Sequence, residues 1–293
     1  MNDMSFMKRK LIPLLLVFTI LIPSLVAADA APGDMIVTLG ANLTDEQKQS
    51  ILNEMGAPDD VEIIYVTNEE EHHYLGNYVS RAQIGTRAIS SSMITLTTSG
   101  SGLNVETNNI NWVSEGMYAN ALVTAGVKDA DIYVTAPFEV SGTAGLTGII
   151  KAYEITADIQ IPEEQKQIAN EEMVRTGKLA ERIGMEEATE LMNRIKEEIA
   201  QNPVESEEDL RALIQRIAQE LGITLTEEEL NGLVSLFMRL KDLNIDWDQV
   251  QNQIGKIRDN LGDFLNREDT QSFIASLLDV LQRFIEAIKG LFR

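Results

Sequence analysis

Imidazole is scarce in this 293-residue chain, which has two histidines, His72 and His73, adjacent and directly behind Glu69-Glu70-Glu71. Neighbouring residues on a helix point about 100° apart, so the pair is poorly placed to chelate one ion as an i,i+4 pair would. The H-E-x-x-H zinc pattern is absent. One histidine sharing a metal with Glu69 is the remaining metal reading here. Against it stands a solvated helix start, where acidic residues meet the positive end of the helix dipole. Asp242, Asn244, Asp246 and Asp248 alternate as in the first half of an EF-hand loop, but Trp247 stands where that loop needs glycine and Gln253 where it needs a bidentate glutamate. Asp246 as the N-cap of a following helix is the simpler reading. With no cysteine, thiol catalysis, disulfides and thiolate metal sites are excluded. The expectation is no metal and no cofactor.

Gly142, Gly145 and Gly148 follow a predicted strand and open a predicted helix, the setting of an anion-binding loop. Their spacing is neither G-x-G-x-x-G nor a P-loop, and no Lys or Arg follows until Lys151. Close packing of helix on sheet is the competing reading, and the three glycines remain the candidate ligand contact of the first half. For hydrolysis, G-x-S-x-G is absent, and no S-x-x-K occurs beyond residue 30. A serine triad would have to use His72 or His73. Two-carboxylate glycoside chemistry depends on separation in space; Glu106, Glu115 and Glu139 near predicted element ends are its candidates, although the first half has few of the aromatics that line sugar clefts.

These groups must be carried by elements that the pattern of residues defines. Met35–Leu39, Val61–Thr67 and Ile132–Ala136 read as strands. Ala88–Thr98 and Leu103–Asn108 read as two more, joined by the Ser99-Gly100-Ser101-Gly102 turn. Between them, Thr44-Asp45-Glu46-Gln47 is a capping box for a helix closed by Gly56, Asn68 caps a short helix ending near Gly76, and Ser114 opens a helix ended by Gly126. The order is roughly βαβαββαβα, which predicts an α/β or α+β domain over residues 31–155.

From Pro162 the period changes to 3.6 and strand signals stop, predicting an all-α helical bundle region over residues 160–268. Helix starts fall at Pro162, at Ser206 with Asp209, at Thr226 with Glu229 and at Asp246, and stops at Gly177, Asn202-Pro203 and Gly222. Trp247, Val250, Ile254, Ile257, Leu261 and Phe264 form a heptad seam flanked by Gly255 and Gly262, too short for a long coiled coil and suited to packing within a bundle. Residues 270–293 form a separate amphipathic segment. At helical spacing Phe273, Leu277, Leu281, Phe284, Ile288, Leu291 and Phe292 share one face, with Asp279, Arg283, Glu286 and Lys289 opposite. Four charges argue against a membrane span. This face either completes the bundle core or lies on a membrane surface or in a partner's groove.

Lys8-Arg9-Lys10, the apolar run Leu11–Ala28 and the small residues around Ala28-Asp29-Ala30 have the three-part order of a secretory signal peptide over residues 1–30, with cleavage expected between Ala28 and Ala31. Its removal takes three basic residues (Lys8, Arg9, Lys10) and two acidic ones (Asp3, Asp29), moving the net charge from −22 to −23. Such a surface offers no footprint for a phosphate backbone, so nucleic acid is excluded as a partner.

The stretches Gly33-Asp34-Met35-Ile36-Val37-Thr38-Leu39-Gly40, Gln83-Ile84-Gly85-Thr86-Arg87-Ala88-Ile89-Ser90-Ser91-Ser92, Gly102-Leu103-Asn104-Val105-Glu106-Thr107 and Ala125-Gly126-Val127-Lys128-Asp129-Ala130, the last continuing through Tyr133-Val134-Thr135-Ala136-Pro137-Phe138, resemble the YpuA-like "domain of unknown function 1002" family. The resemblance covers nearly the whole chain. It implies an exported protein of Gram-positive-type bacteria and brings no activity or site residue with it. The expected function is that of a non-enzymatic binding or interaction protein at the cell envelope, its partner an envelope protein, a wall component or a membrane surface. The alternative is a wall-active hydrolase using a carboxylate pair.

Overall fold

The computed structural model describes residues 31–243 and 245–266. Residues 1–30, where a signal peptide is expected, Asn244, and residues 270–293, where an amphipathic helix is expected, lie outside the described residues. Five strands, β1 (Met35–Gly40), β2 (Glu62–Val66), β3 (Ser91–Leu96), β4 (Leu103–Ile110) and β5 (Ala130–Val140), form one mixed sheet in the order β2-β1-β3-β5-β4. The outer pairs β1–β2 and β4–β5 are parallel; the inner pairs β1–β3 and β3–β5 are antiparallel. Helices α1 (Asp45–Met55), α2 (Asn68–Leu75), α3 (Arg81–Ile84), α4 (Glu115–Ala125) and α5 (Thr143–Thr156) are interleaved with the strands. The rest is helical: α6 (Glu163–Ile183), α7 (Met185–Gln201), α8 (Glu207–Glu220), α9 (Glu227–Asp242) and α10 (Trp247–Asn266). The chain is therefore an α/β assembly followed by an all-α region.

Local chemistry sets many of these ends. Thr44 and Gln47 cap α1 reciprocally, and Gly56 ends it at φ 62°, a left-handed conformation that glycine adopts without steric cost. Thr226 and Glu229 form the same box at α9. At α2 the cap is Thr67, one residue before the expected Asn68, because Thr67 and Glu70 complete a reciprocal box.

The two expected strands joined by Ser99–Gly102 are β3 and β4, and β5 lies between them in the sheet. Helix α4 carries the chain from β4 to β5, the crossover that a parallel pair requires. The turn is tied to the start of β5: Asp129 accepts the Gly102 N–H at 2.8 Å, and the Ala130 N–H donates to Gly102 O at 3.0 Å. Gly177, expected to stop a helix, does not do so. It lies inside α6, where a Cβ would come within 2.5 Å of the Trp112 ring, so its glycine serves close packing.

Alternation within the strands separates two layers. Ile36, Ile94, Ile132 and Val134 join Leu146 and Ile149 of α5 and Leu122 of α4 in the larger apolar cluster. Val37, Leu39 and Ala136 meet Ile51 and Met55 of α1. The larger cluster extends into the helical region through Met173 and Val174 of α6 and Val250 and Ile254 of α10. A second cluster joins α6, α7, α8 and α9 around Leu191, Ile195, Ile214 and Phe237. Each such fully buried aliphatic side chain is worth about 1.5–3 kcal/mol relative to exposure. Among the described residues no helix is long and apolar enough to cross a membrane.

Candidate functional site

The adjacent histidines diverge in the structure. His72 Nε2 contacts Gly85 O at 3.0 Å, while His73 Nε2 meets Glu163 Oε1 at 3.0 Å, so each ties α2 to a different segment. Asp246 Oδ1 accepts the Gln249 N–H at 3.0 Å, as a helix cap does. Among the described residues, no group of three His, Cys, Asp or Glu side chains is arranged to hold a metal ion.

The three glycines of the α5 start are packed against the sheet and α4. A Cβ at Gly142 would lie 2.5 Å from Ile110 Cγ2, one at Gly145 2.7 Å from the Tyr118 oxygen, and one at Gly148 2.9 Å from Thr38 Cγ2. The same helix start meets a carboxylate of the chain itself. Thr143 Oγ1 donates to Glu71 Oε1 at 2.5 Å, and Glu71 is 2% exposed. Burial pushes the Glu71 carboxyl above its ordinary range, against hydrogen bonds from Thr143 and Asn68.

The carboxylates that come together in an accessible place lie on the other face of the sheet. Helix α1 covers only part of that face. In the remainder, parallel register sets Asn104 beside Asp131, Glu106 beside Tyr133 and Asn108 beside Thr135. Asn104, Glu106, Asn108 and Asp131 are exposed, Tyr133 is half-buried, and Thr135 lies beneath α1. Glu54, in the last turn of α1, reaches over this row. It accepts from Thr135 Oγ1 at 2.7 Å, Asn108 Nδ2 at 2.8 Å and Tyr133 OH at 2.9 Å.

An acidic residue near a helix C-terminus is disfavoured by the dipole, and here three side-chain donors offset that cost. Partial burial pushes the Glu54 carboxyl up, but the hydrogen bonds from Asn108, Thr135 and Tyr133 outweigh it and hold the group below its ordinary range. Tyr133 is pushed up to about 12 by burial and by Glu54. The row ends at a bulge between Asn108 and Ile110, where Asn109 takes φ 57° and donates from Nδ2 to Ala136 O at 2.8 Å. Asn tolerates this left-handed conformation better than most residues, and such bulges re-aim side chains at strand ends.

Glu115, at the start of α4, stands at the β4 edge and accepts the Thr107 N–H at 3.1 Å. Burial pushes its carboxyl up, and the charge of Glu106 adds to the shift. The structure thus brings Glu106 and Glu115 within electrostatic reach of each other, while Glu139 stands exposed near the end of β5. Glu54, Asn108 and Tyr133 were not singled out from sequence. The available signal was the alternation Asn104, Glu106, Asn108 along a strand, which marks a polar face.

The family described as "Protein of unknown function (DUF1002)" matches residues 39–257, from within β1 into α10. The chain belongs to the DUF1002 family. The DUF1002 match takes in the end of β1, strands β2 to β5 with the polar face, and most of the described helical region. A Bacillus subtilis (strain 168) protein, "Uncharacterized protein YpuA", is 50% identical over 278 residues, spanning 94% of this chain and 96% of that protein. No solved structure matches.

Proposed function

We propose that this chain is an exported, non-enzymatic binding protein of the cell envelope, and that the β4–β5 polar face meets its partner. The observation that carries the binding reading is the state of Glu54, whose carboxylate is held ionised by three side-chain donors. A carboxylate so held is a fixed acceptor and a poor proton carrier. Beside it the exposed Glu106, Asn104 and Asp131 add further acceptors, and Tyr133 presents part of a ring. Of the partner classes, an envelope protein, a wall component or a membrane surface, this row favours a wall component rich in hydroxyl and amide donors. The net charge of −22 opposes an anionic membrane. Export is supported by Lys8-Arg9-Lys10, the Leu11–Ala28 run and the small residues that follow.

Cosedimentation of the purified chain with insoluble cell walls tests this reading. Binding is expected, with a loss of about fivefold or more, about 1 kcal/mol, for the double variant Asn104→Ala, Glu106→Ala. Equal sedimentation of that variant would remove the face from the proposal.

One observation favours the hydrolase alternative. Glu115 has its carboxyl raised by burial and by Glu106, and paired carboxyls with separated proton affinities are the arrangement glycoside hydrolysis uses. Glu115 is also engaged as the acceptor for the edge N–H of Thr107, a structural use that accounts for its place. Release of soluble wall fragments by the purified chain, abolished by Glu115→Gln, would establish the hydrolase and displace the binding reading.

A further inference from the structure

Across the sheet from the polar face, three helices turn i,i+4 pairs toward one cleft of about 210 Å³: Glu70 and Tyr74 from α2, Thr147 and Lys151 from α5, and Lys166 and Asn170 from α6. Ile150 and Glu154 of α5 complete its lining. The fixed charges cancel in pairs. Lys151 Nζ lies 2.7 Å from Glu70 Oε1 and also donates to Tyr65 O at 2.8 Å. Lys166 Nζ lies 2.9 and 3.0 Å from the two oxygens of Glu154. The lining groups therefore offer both ammonium donors and carboxylate acceptors and sum to no net charge, with Glu163 just outside the lining, 3.8 Å from Lys166 Nζ and accepting from Tyr74 OH at 3.3 Å.

Two lining side chains carry oxygens without a hydrogen-bond partner among the described residues, Thr147 Oγ1 and Asn170 Oδ1, and these residues are 4% and 0% exposed. Asn170 spends its amide N–H on Lys166 O at 2.8 Å, which leaves its carbonyl as an acceptor. Both oxygens are buried beneath the lining, so the groups that a molecule in the cleft can reach are the charged ends of Glu70, Lys151, Glu154 and Lys166, at side-chain exposures of 16% to 38%.

We infer that this cleft is a binding site for a small zwitterion of the amino-acid type, its ammonium meeting a carboxylate oxygen of Glu70 or Glu154, and its carboxylate meeting the ammonium of Lys151 or Lys166. A simple anion would face Glu70 and Glu154, and a simple cation the two lysines. Only a ligand bearing both charges gains charge-assisted hydrogen bonds, roughly twice as strong as neutral ones, from both kinds of wall group. The cleft holds the volume of about seven waters at roughly 30 Å³ each, a size that suits a free amino acid or a dipeptide.

Calorimetric titration of the purified chain with L-serine, L-glutamine and L-alanyl-L-alanine tests the assignment, with N-acetyl-L-alaninamide, glucose and inorganic phosphate as comparisons. At least one zwitterion is expected to bind about tenfold or more tighter than every comparison compound, a difference of about 1.4 kcal/mol. Lys151→Met is expected to weaken that binding about tenfold or more, whereas Thr147→Val, whose hydroxyl lies out of the ligand's reach, is expected to leave it unchanged. Absence of binding by all three zwitterions would overturn the site. Equal or tighter binding of the blocked derivative, glucose or phosphate would overturn the ligand class. A folded Lys151→Met protein that binds as well as the parent would overturn the location.

Discussion

Glu172 and Lys196 meet 2.5 Å apart with both side chains withdrawn from water, at 1% and 0% exposure. The pair joins α6 to α7, and each member also grips α4: Thr124 Oγ1 donates to Glu172 Oε2 at 2.5 Å, and Lys196 Nζ donates to Asn120 O at 2.8 Å. Burial pushes the Lys196 ammonium down, and Glu172 opposes that shift. Since α4 belongs to the α/β half and α6 and α7 to the helical region, the two parts are tied by charge as well as by shared apolar core.

Removing one partner of a buried pair strands the other, a cost of about 3–5 kcal/mol. Glu172→Gln and Lys196→Met are each expected to lower unfolding stability by about that amount. Two apolar residues of similar volume cost far less, so Glu172→Leu with Lys196→Met is expected to recover most of the loss. Urea denaturation of the two single variants and the double variant measures this, and losses that simply add would show that the residues do not act as a pair.

Glu71 gives a prediction in pH. Its folded pKa is raised by burial, so the folded protein holds a proton there more tightly than the unfolded chain. The resulting destabilisation is absent below the unfolded pKa, grows as pH rises from there through the folded pKa, and is complete above it. Glu71→Gln removes the titration and keeps an oxygen for Thr143. It is expected to improve stability relative to the parent more at pH 7.5 than at pH 4, about the ordinary carboxylate range. Denaturation midpoints at the two pH values decide, and a relative gain that is larger at pH 4 would mean that Glu71 is held charged by a favourable contact.

The α/β-then-helical order was legible because it is written in local signals. The capping residues Thr44, Ser114, Ser206 and Thr226 and the terminating Gly56 and Gly126 act within a few residues of themselves, and they hold in the structure. The insertion of β5 between β3 and β4 was not legible, since pairing across a sheet is chosen by partners far apart in the chain. The same distance hides the site residues. Glu54 reads as one more acid on an amphipathic helix until Asn108, Tyr133 and Thr135 are brought beneath it. Likewise Thr147, Lys151, Lys166 and Asn170 show only helical spacing until α5 and α6 are set side by side.

The Glu54 contacts carry a pH prediction of opposite sign. Its folded pKa is lowered, so its stabilisation is present above the unfolded pKa and is lost as pH falls through the folded one. The site is solvent-accessible, which reduces each charge-assisted hydrogen bond there to about 0.2–1 kcal/mol. Tyr133→Phe is therefore expected to cost no more than about 1 kcal/mol at pH 7, and less at pH 3, which lies below the ordinary glutamate value of about 4.3 where that stabilisation starts to fade. Chemical denaturation at both pH values provides the check; a cost that is equal or greater at pH 3 would mean that the phenol stabilises the fold by some route other than Glu54.

Two mid-helix glycines should respond to the same substitution in opposite directions. Alanine favours a helix interior over glycine by about 1 kcal/mol, so the outcome rests on what the new methyl meets. At Gly177 a Cβ would fall 2.5 Å from Trp112 Cζ2, and Trp112 is held in place by its Nε1–H bond to Glu181 Oε1 at 2.9 Å. Overpacking of this kind costs about 1–3 kcal/mol, so Gly177→Ala is expected to be neutral to destabilising by about 2 kcal/mol and to change Trp112 fluorescence. At Gly255 a Cβ would meet nothing within 4 Å among the described residues, and Gly255→Ala is expected to stabilise by up to about 1 kcal/mol. Trp112→Leu, by removing the ring that the methyl strikes, should bring the effect of Gly177→Ala toward that of Gly255→Ala. If Gly177→Ala stabilises the parent as much as Gly255→Ala does, the ring does not lie against α6.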